Sequence, residues 1–166
     1  MAGRTVLVHG GAGGVGSFVV QLAAALGARV IATASAGDAD FVRGLGAEQV
    51  VDYTARRFED EVEGVDVVFD TVGGDTQVRS WTVLRPGGVL VSVVSPPTPP
   101  EGARARGAFF VVDPDRLGLD GLTALVEAGR LQPPGGPCHA AAGSAAGLRG
   151  PGTHGHRRGK IVLMVS

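Results

Sequence analysis

Apolar and polar positions along the chain fall into two alternating rhythms. TVLVH (Thr5 to His9), RVIATA (Arg29 to Ala34), QVVD (Gln49 to Asp52), VDVVFD (Val65 to Asp70) and GVLVSVV (Gly88 to Val94) are short runs rich in Val, Ile and Leu. Runs of this length, nearly continuous in apolar residues, predict strands covered on both faces. Between them, Val15 to Leu26, Asp38 to Leu45 and Thr76 to Leu84 carry helical spacing. The alternation predicts an α/β fold: a doubly wound parallel sheet with helices on both faces. Beyond a proline-rich loop, Ser95 to Gly102, the pattern predicts a short strand at Phe109 to Val112, a helix from Pro114 to Ala128 and a last strand in KIVLMV, Lys160 to Val165. The stretch from Leu131 to Arg158 is different. It is rich in Gly, Pro and Ala, nearly lacks β-branched residues, and reads as irregular.

Composition narrows the picture. With 166 residues, 44% of them hydrophobic, the chain can bury one sizeable core. A net charge of −1 and scattered arginines provide no basic footprint for nucleic acid, so a small-molecule ligand is expected. Cys138 is the single cysteine, which excludes an internal disulfide and a four-thiolate zinc site and fits a reducing compartment. No stretch reads as a signal peptide or reaches membrane-spanning length, so a cytoplasmic location is expected.

The chemistry begins in VLVHGGAGGVGSFVVQLAAALGARVIATAS, Val6 to Ser35. Gly11, Gly13 and Gly16 form GxGxxG directly after a strand and directly before a helix, inside one βαβ unit. The first glycine permits a tight turn, the second lets the backbone approach a pyrophosphate, and the third lets helix and strand pack closely. The helix N-terminus then offers free N–H groups and a positive dipole end to the anion. The second strand ends Thr33, Ala34, Ser35, with no carboxylate for the adenosine ribose, which favours NADP(H) over NAD(H). Asp38 and Asp40 follow a few residues later and are expected to cap and begin the next helix. Tyr53, after the third strand, could line the adenosine side or simply pack.

Other residues read more plainly. Cys138 with His139, and His154 with His156, resemble metal-ligand pairs but have no carboxylate cluster beside them in the sequence, and no zinc is expected. His9 is expected to pack or hydrogen-bond beside the glycine loop. Asp70 either caps its loop or touches the ligand. Arg56, Arg57 and the Glu59 to Glu61 run read as a solvated face.

Several motifs in order, VLVHGGAGGVGSFVVQLAAALGARVIATAS, LGAEQVVDYT, VDVVFDTVGG, LRPGGVLVSVVS, AFFVVDPD, LVEAGRLQP and RGKIVL, resemble the cofactor-binding half of the medium-chain dehydrogenase/reductase superfamily. Within it they are most similar to the quinone oxidoreductase branch, often labelled zinc-binding alcohol dehydrogenase-like. The resemblance implies a Rossmann domain over residues 1–131, an irregular segment over 132–158 and a closing strand of the same domain over 159–166. It implies NADP(H) as cofactor and hydride transfer to a quinone or to the conjugated double bond of an enone. It places Gly13, Gly14, Val15 and Gly16 at the pyrophosphate, Ser35 and Tyr53 at the adenosine phosphate and ribose, Val72 and Gly73 after the fourth strand, and Phe109, Phe110 and Val111 near the nicotinamide. It further implies a homodimer joined through the sheet edge.

The chain departs from the family pattern in three places. Where relatives often carry Lys or Arg just after the position of Ser35, this sequence has Gly37 and Asp38. The β-rich GroES-like domain that precedes the cofactor domain in the family, and forms the other wall of its cleft, has no counterpart in these 166 residues, so no catalytic residue is assigned and little turnover is expected of the chain alone. Residues 132–158 lack the strand and amphipathic helix of the family. Codons can be chosen for that stretch whose neighbouring frame has the family character, so compensating frameshifts are one reading of it and a natural loop the other. Three function classes follow: the nucleotide-binding half of an oxidoreductase, a stand-alone dinucleotide-binding sensor or interaction module, and a Rossmann-like methyltransferase. The last normally ends its second strand in an acidic residue, which Ser35 is not.

Overall fold

The computed structural model describes residues 1–113, 115–140 and 160–164. Six parallel strands form the main sheet: β1 (Thr5–Val8), β2 (Arg29–Ala34), β3 (Gln49–Asp52), β4 (Val65–Asp70), β5 (Leu84–Ser92) and β6 (Arg106–Phe109). Their order is β3-β2-β1-β4-β5-β6, the doubly wound Rossmann order with its reversal between β1 and β4. Helices α1 (Gly16–Ala25), α2 (Ala39–Gly44) and α3 (Gly74–Arg79) make crossovers, and α4 (Arg116–Glu127) follows β6.

Alternation along the strands divides the core between the two faces. Val6 and Val8 on β1 and Val30 and Ala32 on β2 pack with Val20 and Ala23 of α1 and Val42 of α2. Leu7 and Ile31, one position out of phase, join Val51, Val68 and Leu90 with Phe58, Val62 and Val83 on the other face. Burying the large apolar side chains contributes roughly 1.5–3 kcal/mol each.

Strand β4 carries a carboxylate near each end. At the start, Asp66 accepts from the Thr5 N–H (2.9 Å), from Arg4 (2.7 Å) and from Arg85 (2.7 Å), linking β1, β4 and β5. The Thr5 bond, with the two guanidinium groups, holds its pKa down to about 2. At the other end Asp70, wholly buried, accepts from the N–H groups of Val72 and Gly73 (2.9 Å each) through Oδ1, and from Gln77 (3.1 Å) and Ser92 (3.0 Å) through Oδ2. Asp70 therefore caps its own loop and ties it to β5.

The later elements differ from the sequence pattern. The sixth strand ends at Phe109, so the expected strand over Phe109 to Val112 is displaced towards the N-terminus. Arg106 to Phe109 pair with Val89 to Ser92, whereas Phe110, Val111 and Val112 are exposed beyond the ladder. The third helix begins at Gly74 and gives way to a 3-10 turn over Ser80–Val83. Residues Gly135–Ala140, expected to be irregular, form strand β7, which pairs in parallel with β8 (Lys160–Met164) in a separate two-stranded ladder. Gly and Pro weaken the sequence signal of a strand, but backbone pairing requires no particular side chain. The remainder of 132–158 that would decide between loop and frameshift lies mostly outside the described residues, as do His154 and His156. Leu131, at the start of that stretch, is buried, and the neighbouring Gln132 exchanges hydrogen bonds with the Gln21 side chain of α1 (2.8 and 3.0 Å).

Candidate dinucleotide site

The glycine turn lies at the carboxyl ends of β1, β2 and β4, where the sheet order reverses. The backbone turns left-handed at Gly10, φ +71°, and not at Gly11. Gly10 is thus the glycine that the tight turn requires, one residue ahead of the fingerprint. Its N–H donates to Thr33 Oγ1 (3.1 Å), and a Cβ there would meet Thr71 Oγ1 at 2.8 Å. Gly11 instead answers a packing need: a Cβ would lie 2.9 Å from that of Ala32. A Cβ on Gly16 would collide with the Gly10 carbonyl, which is why α1 can start so close to β1.

Helix α1 begins without a side-chain cap and without an acidic residue in its first turn. The Ser17 and Phe18 N–H groups already donate to the Gly13 and Val15 carbonyls, so an exogenous anion would meet the positive dipole end and the N–H groups of the turn just before them. Gly13, tight against Gly10 with room for a Cβ only at 3.2 Å from the carbonyl oxygen, keeps the approach to them open. The pyrophosphate of a dinucleotide fits this cradle.

Two adjoining cavities flank the turn. The smaller, about 220 Å³, is lined by Gly10, Ala12 and Gly13 of the turn, Ser35 and Asp38 after β2, Tyr53 after β3 and Val72 after β4. The larger, about 580 Å³, shares Gly10, Thr33, Tyr53 and Val72 and extends over Phe58, Arg57 and Arg79. The structure thus brings Gly13, Ser35, Tyr53 and Val72 to one cavity. Gly14, Val15 and Gly16 continue the turn into α1, and Gly73 supplies a buried N–H to Asp70. Phe109, Phe110 and Val111 leave the same edge of the sheet from β6, with β5 and β4 between them and β1.

His9 packs and hydrogen-bonds beside the glycine loop as expected, whereas Thr33, Thr71 and Asp38 gain roles that the sequence pattern does not reveal. His9 is wholly buried, edge-on to Phe58 at 4.6 Å between ring centroids. Ser80 Oγ donates to the Thr76 carbonyl (2.6 Å), so His9 Nε2–H donates to Ser80 Oγ (2.9 Å), and Nδ1 is left to accept from Thr33 Oγ1 (3.3 Å). Burial lowers its pKa to about 4, so the ring is neutral near pH 7 and acts as a fixed strut beneath the turn. Thr71 Oγ1 donates to the His9 carbonyl (2.7 Å) from the opposite side.

One expectation is corrected and another extended. The side chain of Asp38 does not cap α2; it accepts from Ser35 Oγ (2.8 Å) and faces the smaller cavity, because the 3-10 turn Ala36–Asp38 folds it back towards the end of β2. Arg56 and Arg57 are exposed but also line the larger cavity, held by Glu61 (2.6 Å) and Glu59 (2.7 Å). Burial alone would raise Glu59, but hydrogen bonds from Arg79 and Arg57 bring its pKa down to about 2.

Among the described residues no three His, Cys, Asp or Glu side chains cluster to hold a metal, and no helix is long and apolar enough to cross a membrane.

Comparison with known proteins agrees with this architecture. The chain is 39% identical over 142 residues to the 2-methylene-furan-3-one reductase of Solanum lycopersicum and 40% identical over 142 residues to the chloroplastic NADPH-dependent alkenal/one oxidoreductase of Arabidopsis thaliana. In each case 82% of this chain is covered but 34% of the relative, so it spans about a third of their length. The quinone oxidoreductase from Coxiella burnetii superposes with a TM-score of 0.82 at 32% identity, covering 99% of this chain and 54% of that one. The family model described as zinc-binding dehydrogenase matches residues 14–122, more than half of the chain. The chain belongs to the zinc-binding dehydrogenase family of medium-chain dehydrogenases/reductases, and corresponds to its cofactor-binding part.

Proposed function

We propose that this chain is the nucleotide-binding half of a reductase that uses a reduced nicotinamide dinucleotide to saturate the conjugated double bond of an enone or to reduce a quinone. The observation that carries the reading is the uncapped start of α1 opposite Gly10 and Gly13, at the β1/β4 reversal of a Rossmann sheet. When bound, the cofactor supplies a hydride. Gly13, Gly14, Val15 and Gly16 hold the pyrophosphate, Ser35 and Tyr53 border the adenosine ribose, Val72 and Gly73 shape the floor, and Phe109, Phe110 and Val111 border the nicotinamide side. NADP(H) is the form supported by a relative whose name specifies NADPH.

Orienting the acceptor carbon against the nicotinamide and excluding water requires a second wall, and such orientation supplies roughly 7–11 kcal/mol of barrier reduction. Among the described residues, none is placed to do this. Fluorescence titration of NADPH and NADH tests the reading: saturable binding is expected, and no binding of either would refute it. NADPH oxidation with quinones and enones, by the chain alone and with a GroES-like domain added, tests the reductase assignment; turnover is expected with the second domain.

A further inference from the structure

We propose that Thr33 is a positioning residue of the dinucleotide site: its hydroxyl, oriented by His9, holds the glycine turn in the shape that receives the pyrophosphate. The proposal rests on the dinucleotide reading above and goes beyond it in assigning a residue that acts through the turn rather than on the cofactor. Hydrogen bonds run in one direction from the turn to α3. The Gly10 N–H can only donate, and it does so to Thr33 Oγ1 at 3.1 Å. The single Thr33 hydroxyl proton is then free for His9 Nδ1 at 3.3 Å, His9 Nε2–H donates to Ser80 Oγ at 2.9 Å, and Ser80 Oγ donates to the Thr76 carbonyl at 2.6 Å. Each link fixes the direction of the next. Nδ1 must carry no proton for this. Burial, the largest influence on the ring, outweighs Asp70 and Glu59, which favour its charged form, and with Arg79 lowers its pKa to about 4.

Thr33 also acts through its backbone. Its carbonyl accepts from the Gly11 N–H at 2.9 Å, so one residue of β2 takes the first two amides of the glycine run. The Gly10 carbonyl in turn accepts from the Gly13 N–H at 2.9 Å, which carries the constraint to the glycine beside the anion cradle. Gly10 is left-handed, Thr33 is 4% exposed, and His9 and Ser80 are wholly buried. Without the hydroxyl, the Gly10 N–H and the His9 Nδ1 both lose their partner, and other turn shapes compete with the one that binds. The apparent affinity then falls with the share of the chain in the competent shape.

The test is fluorescence titration of NADPH and of NADH on the parent chain, Thr33→Val and Thr33→Ser, with thermal unfolding to confirm that each is folded. Valine keeps the shape and removes the hydroxyl, whereas serine keeps the hydroxyl. Thr33→Val is expected to weaken both cofactors by the same factor, about tenfold, because the turn serves the pyrophosphate common to both. Thr33→Ser is expected to bind within about twofold of the parent. Thr33→Ala removes the same hydroxyl with no methyl against Gly10, should valine disturb β2. Nitrogen NMR shifts of the His9 ring provide a readout that packing alone would not move. The parent at neutral pH is expected to show the Nε2–H form, with the Nδ1 resonance displaced in Thr33→Val and restored in Thr33→Ser. Unchanged affinity in the folded Val and Ala variants, a loss that serine does not recover, or an Nδ1–H ring in the parent overturns the role of Thr33 and leaves the dinucleotide reading standing. Failure of the parent chain to bind either cofactor overturns that reading, and this role with it.

Discussion

The carbonyl of Gly10 occupies the space that a Cβ on Gly16 would need, whereas the same carbonyl lies 3.2 Å from a Cβ on Gly13. Two glycines of one fingerprint therefore fail differently. Gly13→Val is expected to leave the fold intact and weaken dinucleotide binding at least about tenfold by obstructing the approach to α1. Gly16→Val is expected to unfold the domain or lower its stability by about 3 kcal/mol or more, since the collision is with backbone. Circular dichroism and cofactor titration on the two variants separate the effects; equal loss of folding in both would contradict the assignment.

The buried His9 makes stability depend on pH above the carboxylate range. Its pKa, about 4 in the folded state, is depressed from 6.5, so between those values the unfolded chain binds more protons and stability rises with pH. The contribution is complete above pH 6.5 and is lost as pH falls towards 4. Between pH 7.5 and pH 5 the loss is expected to be about 2 kcal/mol, measured by urea unfolding. His9→Gln should flatten the profile over that interval.

Ser17 is the buried hydroxyl in the first turn of α1 that has no hydrogen-bond partner among the described residues. Leaving such a group unpaired costs about 1–3 kcal/mol, so Ser17→Ala is expected to raise stability by about 1 kcal/mol. A melting temperature a few degrees higher would record the gain, and a lower one would show that Ser17 has a partner elsewhere in the chain.

Association is expected at the β6 edge. Phe109, which ends β6, and Phe110, Val111 and Val112 just beyond it are 43–76% exposed. An open, apolar strand edge is a template for pairing with another copy. Sedimentation should show a homodimer that Val111→Lys dissociates; a parent chain that stays monomeric at high concentration would contradict the expectation.

The six-stranded sheet was legible because β1 to β4 are buried on both faces and read as apolar runs whose limits match within a residue, as at Val65–Asp70. The later part was less so. Exposed Val111 and Val112 have strand propensity without a strand, and Gly135–Ala140 forms a strand without the propensity. At the site, the glycine turn was legible as a local pattern, but the positive φ belongs to Gly10, which the spacing rule does not single out. Asp38 was missed for a physical reason: a 3-10 turn reverses its direction, and no period in the sequence encodes that. The burial of Thr33 and Ser80 around His9, and the bond from Thr71 to the His9 carbonyl, come from contacts across the fold and have no local signature.

The carboxylates near the two ends of β4 also bear on how the domain breathes. With Asp66 bracing the start of the strand and Asp70 the loop after it, the amides of β1, β4 and the Val72–Gly73 turn should exchange with deuterium only through global opening. Helix α4, with no buried residue, should exchange by local fraying. The Val72–Gly73 turn, held by Asp70, would then be ordered before any ligand reaches it, so little chain entropy would be lost there on association.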